Sequence, residues 1–197
     1  MNKFSNYFSN IYSNNIWGCG SGDGSLPVNT EVYRDFLNNF LNDNKEDIKE
    51  IIDFGCGDWQ SSKLIDWSGF NYTGIDCVDF LIKKNIDEYS TNKIKFEFLE
   101  NISNFYDRKS DLLIIKDVLQ HWTCDEIIDF LDNVVKNHKF IIITNSSSQK
   151  EDWEDEPFRS RPLSSNLYPL KKYSPKKLLV YKCTNDIKEV SIIENII

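Results

Sequence analysis

The run Ile51-Ile52-Asp53-Phe54-Gly55-Cys56-Gly57-Asp58-Trp59 constrains this chain more than any other stretch, because it reads as a buried strand that reaches a carboxylate and then a glycine turn. The β-branched Ile51 and Ile52 suit a pleated sheet, and Gly55 and Gly57 remove the Cβ atoms that would hold a ligand away from the backbone. A polar run with Ser61 and Ser62 then leads into Lys63-Leu64-Ile65-Asp66-Trp67, which predicts a short first helix. Strand, glycine turn and helix start together make a site whose backbone N–H groups face an anionic or ribose-bearing ligand. Gln60 stands where a dinucleotide fingerprint would carry its third glycine, which weakens that reading.

Further strands follow in order. Tyr72-Thr73-Gly74-Ile75-Asp76 ends in an acid about 20 residues beyond the glycine turn, the placement of a group that accepts from ribose hydroxyls. A third run, residues 94–99, ends at Glu100, with Asn101 as the alternative polar group beside it, and a fourth, residues 111–116, ends at Asp117. The fifth is Phe140-Ile141-Ile142-Ile143-Thr144. Between them, helical spacing places Val32, Tyr33, Phe36, Leu37, Phe40 and Leu41 on one stripe behind Thr30 as cap. The same spacing turns Val78, Leu81, Ile82, Ile86 and Tyr89 inward over residues 78–89, and Ile127, Ile128, Leu131, Val134 and Val135 inward behind Thr123. Strands alternating with helices, and apolar almost throughout, predict an α/β fold with a parallel sheet covered on both faces. Residues 177–184 and 188–196, joined by Thr184-Asn185-Asp186, predict an antiparallel hairpin at its edge.

With Asp53-Phe54-Gly55-Cys56-Gly57, Asp76, Glu100 and Lys116-Asp117-Val118-Leu119-Gln120-His121-Trp122 in this order, residues 29–197 resemble the class I S-adenosylmethionine-dependent methyltransferases. The resemblance implies a Rossmann-like doubly wound sheet, mostly parallel, of seven strands with an antiparallel C-terminal hairpin. It also implies S-adenosyl-L-methionine as cofactor, held by Asp53, Gly55, Cys56, Gly57, Asp76, Glu100, Asn101 and Asp117. Trp17-Gly18-Cys19-Gly20-Ser21-Gly22-Asp23-Gly24-Ser25, together with the turn and the post-strand-four motif, is similar to a small group associated with surface-polysaccharide gene clusters, which implies a sugar or nucleotide sugar as acceptor.

Composition narrows the partners. A chain of 197 residues suits one core, and a net charge of −8 argues against tracking a phosphate backbone, so bulk nucleic acid is disfavoured. The basic run 171–177 reads as a solvated turn more readily than as a phosphate site. Five scattered cysteines and two histidines give no zinc or disulfide framework, so no metal is expected. The absence of a signal peptide or a long apolar run predicts a cytoplasmic protein that does not enter a membrane.

Residues 1–28 form a separate cap or lid in this reading: Phe4, Tyr7, Phe8, Ile11 and Tyr12 share a helical face that should dock on the domain, and the Gly18–Gly24 alternation is either a hinge or a lid over the cofactor. The long polar stretch 145–174, with Trp153, Phe158, Arg159, Arg161 and Tyr168, predicts a substrate-facing loop. The leading function is O-methylation of a small polar acceptor. A nicotinamide-dependent oxidoreductase and a non-catalytic cofactor-binding module are the alternatives, and a protein or RNA methyltransferase is a further one. A hydroxyl acceptor needs a base just past strand four, where His121 lies four residues beyond Asp117. Imidazole, with a pKa of about 6.5, is the better proton acceptor near neutrality, so His121 is expected as base and Asp117 as the group that orients it or the acceptor.

Overall fold

The computed structural model describes residues 3–148, 155–158 and 160–195. Seven strands form one sheet: β1 (Glu50–Phe54), β2 (Asn71–Asp76), β3 (Ile94–Phe98), β4 (Ser110–Lys116), β5 (His138–Ser146), β6 (Lys176–Lys182) and β7 (Ile187–Glu194). Their order across the sheet is β3-β2-β1-β4-β5-β7-β6, with β1 to β5 parallel and β7 inserted antiparallel between β5 and β6. This is the expected doubly wound sheet with its antiparallel hairpin. Ile196, assigned to the hairpin from sequence, lies outside the described residues.

Among the described residues, four α-helices accompany the sheet: α1 (Lys3–Ser13), α2 (Pro27–Asp43), α3 (Asp79–Tyr89) and α4 (Cys124–Val134). Alternate residues of each central strand feed two separate cores, as strands buried on both faces require. Leu112 and Ile114 of β4 join Tyr33, Leu37 and Leu41 of α2 and Ile82 of α3 on one face. Leu113 and Ile115 join Ile127, Phe130, Leu131 and Val134 of α4 on the other, together with Phe4 of α1. The predicted N-terminal amphipathic helix thus exists and is docked. Among the described residues, no helix is long and apolar enough to cross a membrane.

Local chemistry sets where the helices begin. Thr123 and Glu126 form a reciprocal capping box at the start of α4, as the sequence predicts of Thr123. Thr30 caps nothing: α2 starts three residues earlier with Pro27 in its first turn, whose lack of an N–H costs nothing there, and the Thr30 hydroxyl bonds back to Leu26 O at 3.0 Å. Val32 and Ile86, expected inward, are exposed, while Phe130 of α4 and Asn85 of α3 are wholly buried in places the sequence reading did not assign. The helix expected over residues 63–67 is one 3-10 turn, Ser62–Leu64, after which Ile65 is extended. Its covering role passes to the buried side chains of Ile65, Trp67 and Phe70.

At the far end of the sheet from the glycine turn, Ser110 and His138 face each other across β4 and β5. Ser110 Oγ donates to Leu112 O at 2.9 Å and so accepts from His138 Nδ1 at 2.8 Å; Nε2 of this wholly buried ring has no partner among the described residues. Burial holds the imidazole at a pKa of about 4, below its ordinary 6.5. The unfolded chain therefore takes up this proton before the folded one does, so stability present above about pH 6.5 is lost as pH falls toward 4, by about 3 kcal/mol in all. Urea unfolding of His138→Phe should show a correspondingly smaller drop between pH 7 and pH 4.5 than the parent protein. An unchanged drop would assign the acid sensitivity elsewhere.

Candidate active site

β1 pairs with β2 on one side and β4 on the other, so the loops that leave their carboxyl ends part and open a crevice at the switch point. A cavity of about 380 Å³ occupies it. The glycine turn forms its floor. Gly55 and Cys56 both donate their N–H groups to Ile75 O, at 2.8 and 3.1 Å. Gly55 (φ 79°) could not carry a Cβ, which would lie 2.3 Å from Val118 Cγ2; at Gly57 (φ 55°) a Cβ would lie 2.5 Å from Ser21 Oγ. Gly57 itself does not line the cavity, but its N–H donates to Asp76 Oδ2 at 2.9 Å. Cys56 does line it, packed toward Gly74, where an added Cβ would come within 3.0 Å of its sulfur.

Asp76, at the end of β2, lines the cavity and also accepts from Val78 N at 2.9 Å. Burial pushes its pKa up to about 6, against the opposing pull of the backbone N–H groups of Gly57, Val78 and Cys77. Asp53 is held from behind: Trp59 Nε1 donates to Tyr72 Oη at 2.8 Å, Tyr72 Oη to Asp53 Oδ2 at 2.6 Å, and Ser62 Oγ to the same oxygen at 3.0 Å. Burial raises the Asp53 pKa, with the hydrogen bonds from Tyr72 and Ser62 opposing it. Trp59 is thus a buried strut of the turn. Glu100 and Asn101 stand apart from the cavity. Glu100 is exposed, and the Asn101 side chain caps the 3-10 turn Ile102–Phe105 by accepting from Ser103 N, so Ile102 is the residue of that segment that reaches the cavity.

Past β4 the two residues expected to act together both line the cavity. Asp117 has a left-handed backbone (φ 58°), uncommon outside glycine, and its carboxylate lies between two lysines. Lys188 Nζ of β7 donates to Oδ1 at 2.6 Å and Lys116 Nζ to Oδ2 at 2.5 Å. Burial alone would raise the Asp117 pKa; the two cations outweigh it and hold it at about 2. Lys188 also pairs with Asp186 at 3.0 Å. Asp117 therefore anchors an ion-pair network in the cavity wall. His121 lines the cavity too, at the end of a 3-10 turn, Leu119–His121, rather than on a helix.

The N-terminal segment supplies a further wall. Phe4, Phe8 and Tyr12 of α1, with Trp17 and residues 21–25, line the cavity. Tyr12 Oη donates to Ser21 Oγ at 2.7 Å, Ser21 Oγ to Asp58 Oδ1 at 2.7 Å, and Ser21 N to Asp58 Oδ2 at 3.2 Å. Lys116 Nζ reaches across to Gly24 O at 3.0 Å. The glycine alternation is thus a strap tied to the glycine turn at one end and to the ion-pair network at the other.

The long loop after β5, expected to face the substrate, lines none of the cavity with its described residues. Phe158 stacks on Tyr7 of α1 with centroids 4.2 Å apart, but Arg161 is 2% exposed and bonded to Asp155 Oδ1 at 2.6 Å and Cys124 Sγ at 3.1 Å, so it is a structural tie and not a substrate ligand. Tyr168 is 61% exposed and does not line the cavity. Trp153 and Arg159 lie outside the described residues. In the basic run, Lys172 binds Asp132 at 2.7 Å and Lys177 binds Glu189 at 3.1 Å, in keeping with a solvated turn. Among the described residues, no group of three or more His, Cys, Asp and Glu is arranged to hold a metal.

Sequence reasoning missed Lys116, Lys188, Asp58, Gln120 and Ser61 as cavity residues. A signal existed for Lys188: it and Glu189 are charged residues inside a run that otherwise reads as a buried strand.

This sheet order with this cavity defines the methyltransferase Rossmann-like fold. Magnesium protoporphyrin IX methyltransferase from Synechocystis PCC 6803, solved with bound SAH, shares it with a TM-score of 0.67, at 14% identity over 96% of each chain. The N-terminal domain of EvdMO1, solved in the presence of SAH and D-fucose, aligns with a TM-score of 0.56 at 11% identity over 82% of each chain. In sequence, 94 residues are 31% identical to the ubiquinone biosynthesis O-methyltransferase of Rickettsia bellii, a stretch that takes in 46% of this chain and 38% of that protein. The chain thus spans well under half the length of the curated relatives it matches. No protein-family profile matches it.

Proposed function

We propose that the chain is an S-adenosylmethionine-dependent methyltransferase that methylates a hydroxyl of a small polar acceptor, a sugar or nucleotide sugar. The observation that carries this reading is the crevice itself, in which a glycine turn, the Asp76 carboxylate and His121 line one cavity of about 380 Å³. The residues present suit the cofactor. Asp76 is a carboxylate for a ribose diol, Ile75, Cys77 and Ile102 are apolar walls for a base, and Ser61 Oγ is a buried cavity group with no partner among the described residues. When bound, S-adenosylmethionine supplies a methyl group on a sulfonium. Asp76 and the glycine turn orient it, the aromatic residues of α1 and Trp17 exclude water, and His121 accepts the proton that the acceptor hydroxyl gives up. Residues 1–28 act as the lid in this scheme, and the acidic net charge of −8 disfavours a nucleic-acid acceptor. The likeness of fold to a domain crystallised with D-fucose supports a sugar acceptor.

Two measurements test it. Calorimetry should detect S-adenosylhomocysteine, and Asp76→Ala should weaken binding by roughly 1.5–3 kcal/mol, the range for hydrogen bonds to a charged group. Because the Asp76 carboxyl titrates at about 6, the parent protein's affinity should also fall as pH drops below that value. Tight NAD binding without S-adenosylhomocysteine binding would replace this reading with that of an oxidoreductase. Second, methyl-labelled S-adenosylmethionine incubated with UDP- and GDP-hexoses should label a sugar, with little effect of salt; a preference for RNA that collapses at moderate salt would move the acceptor class.

A further inference from the structure

We propose that Trp17, carried by the N-terminal strap, is a positioning residue that holds the His121 imidazole in its proton-accepting orientation; the proposal rests on the reading of His121 as the base. The indole stacks on the imidazole with centroids 6.0 Å apart and planes 24° from parallel. Phe8 of α1 meets the same ring edge-on at 5.7 Å and packs against Trp17 at 6.0 Å, and Tyr12 backs Trp17 at 5.8 Å. One face and one edge of the imidazole are therefore walled by residues of α1 and the strap.

The remaining freedom of the ring is restricted from its own side. Phe158 N donates to His121 O at 2.7 Å, which fixes the backbone. Gln120 Oε1 accepts from Ser146 N at 2.8 Å, so the Gln120 amide presents its NH2 group toward His121, with the two Nε2 atoms 3.5 Å apart. A donor facing Nε2 favours the neutral tautomer whose lone pair is on Nε2, and at 3.5 Å the contact is long enough to yield that lone pair to an acceptor hydroxyl. Trp17 adds two effects. Stacking confines rotation of the ring about its χ2 axis, and the indole face attracts the imidazolium once the proton has moved, as aromatic faces attract cations. The seating of the strap does not depend on these contacts, because Ser21–Asp58 and Gly24–Lys116 tie it separately. Closure of the strap and alignment of the base are thereby one event.

With two histidines in the chain, NMR of the 15N-histidine-labelled full-length protein can assign His121 by comparison with His121→Asn. The expected wild-type signature is an upfield ring-current shift of the His121 ring protons and nitrogen shifts of a single neutral tautomer protonated on Nδ1. Trp17→Leu should abolish the ring-current shift and average the tautomers, while Trp17→Phe keeps both. With labelled S-adenosylmethionine and the UDP- and GDP-hexoses, Trp17→Leu should lower kcat by roughly 10²-fold, the effect of a misplaced catalytic group, with KM for the cofactor unchanged and with Trp17→Phe restoring most of the rate. A single tautomer retained in Trp17→Leu, or full turnover in Trp17→Leu while His121→Asn is inactive, overturns the positioning role and leaves the base reading intact. Turnover retained in His121→Asn removes the base reading itself.

Discussion

His121→Asn is expected to lose turnover by roughly 10²–10⁴-fold, the range for removal of a general base, while S-adenosylhomocysteine affinity stays near that of the parent. The asymmetry follows from the cavity. The glycine turn and Asp76 are separate parts of its lining, so the proposed cofactor contacts would survive when the imidazole is removed. A sugar hydroxyl is a poor nucleophile until its proton is taken, and the Asp117 carboxylate, held by two lysines at a pKa of about 2, is a poor group to take it. Circular dichroism and calorimetry on the same sample separate a catalytic loss from a folding defect. A variant that keeps most of its rate would leave His121 as a packing residue between Trp17 and Phe8.

Asp117→Ala is expected to lower the unfolding free energy by about 3–5 kcal/mol, the cost of stranding buried charge. Its carboxylate faces Lys188 and Lys116, whose side chains are only 5% and 11% exposed. Removing the acid leaves Lys188 with Asp186 alone and Lys116 with the Gly24 carbonyl. Urea unfolding of Asp117→Ala, Lys188→Met and the double variant measures the coupling, and the double variant should recover a good part of the loss. Additive effects would mean that the acid and the lysine do not stabilise one another. The pH dependence has a definite sign: with the folded pKa at about 2 and the ordinary value at 3.8, the contribution is complete above about pH 4 and disappears as pH falls through 2.

The sheet was legible in the sequence because its central strands are buried on both faces and so read as unbroken apolar runs; Leu112 to Ile115 and Ile141 to Ile143 needed no tertiary information. The first crossover was not. Apolar spacing over residues 63–67 suits a helix, but Trp59 takes a left-handed backbone so that its indole can reach Tyr72, and the chain then has no run long enough to wind. In the site, Asp53 and Asp76 were legible as carboxylates flanking a glycine turn. Which partners hold them was not, because Tyr72 reaches Asp53 from the neighbouring strand. Asp117 shows the same difficulty over a longer range: local sequence offers His121, whereas the fold delivers Lys188 from β7. Glu100 was assigned by its position after β3, yet β3 is the sheet's edge strand, and the carboxylate there turns to solvent.

Insertion of β7 between β5 and β6 has a consequence for the order of synthesis. A ribosome releases α1 and the strap first, but their anchors at Asp58, Lys116 and His121 emerge much later. Lys188 and the strand that closes the open side of β5 come later still. A nascent chain halted before residue 187 would present an unpaired β5 edge and an acid–lysine pair short of one cation. Local helices can form as they are made. The cavity cannot, since its lining runs from Phe4 to Lys188, and its walls are complete only once β7 has been made.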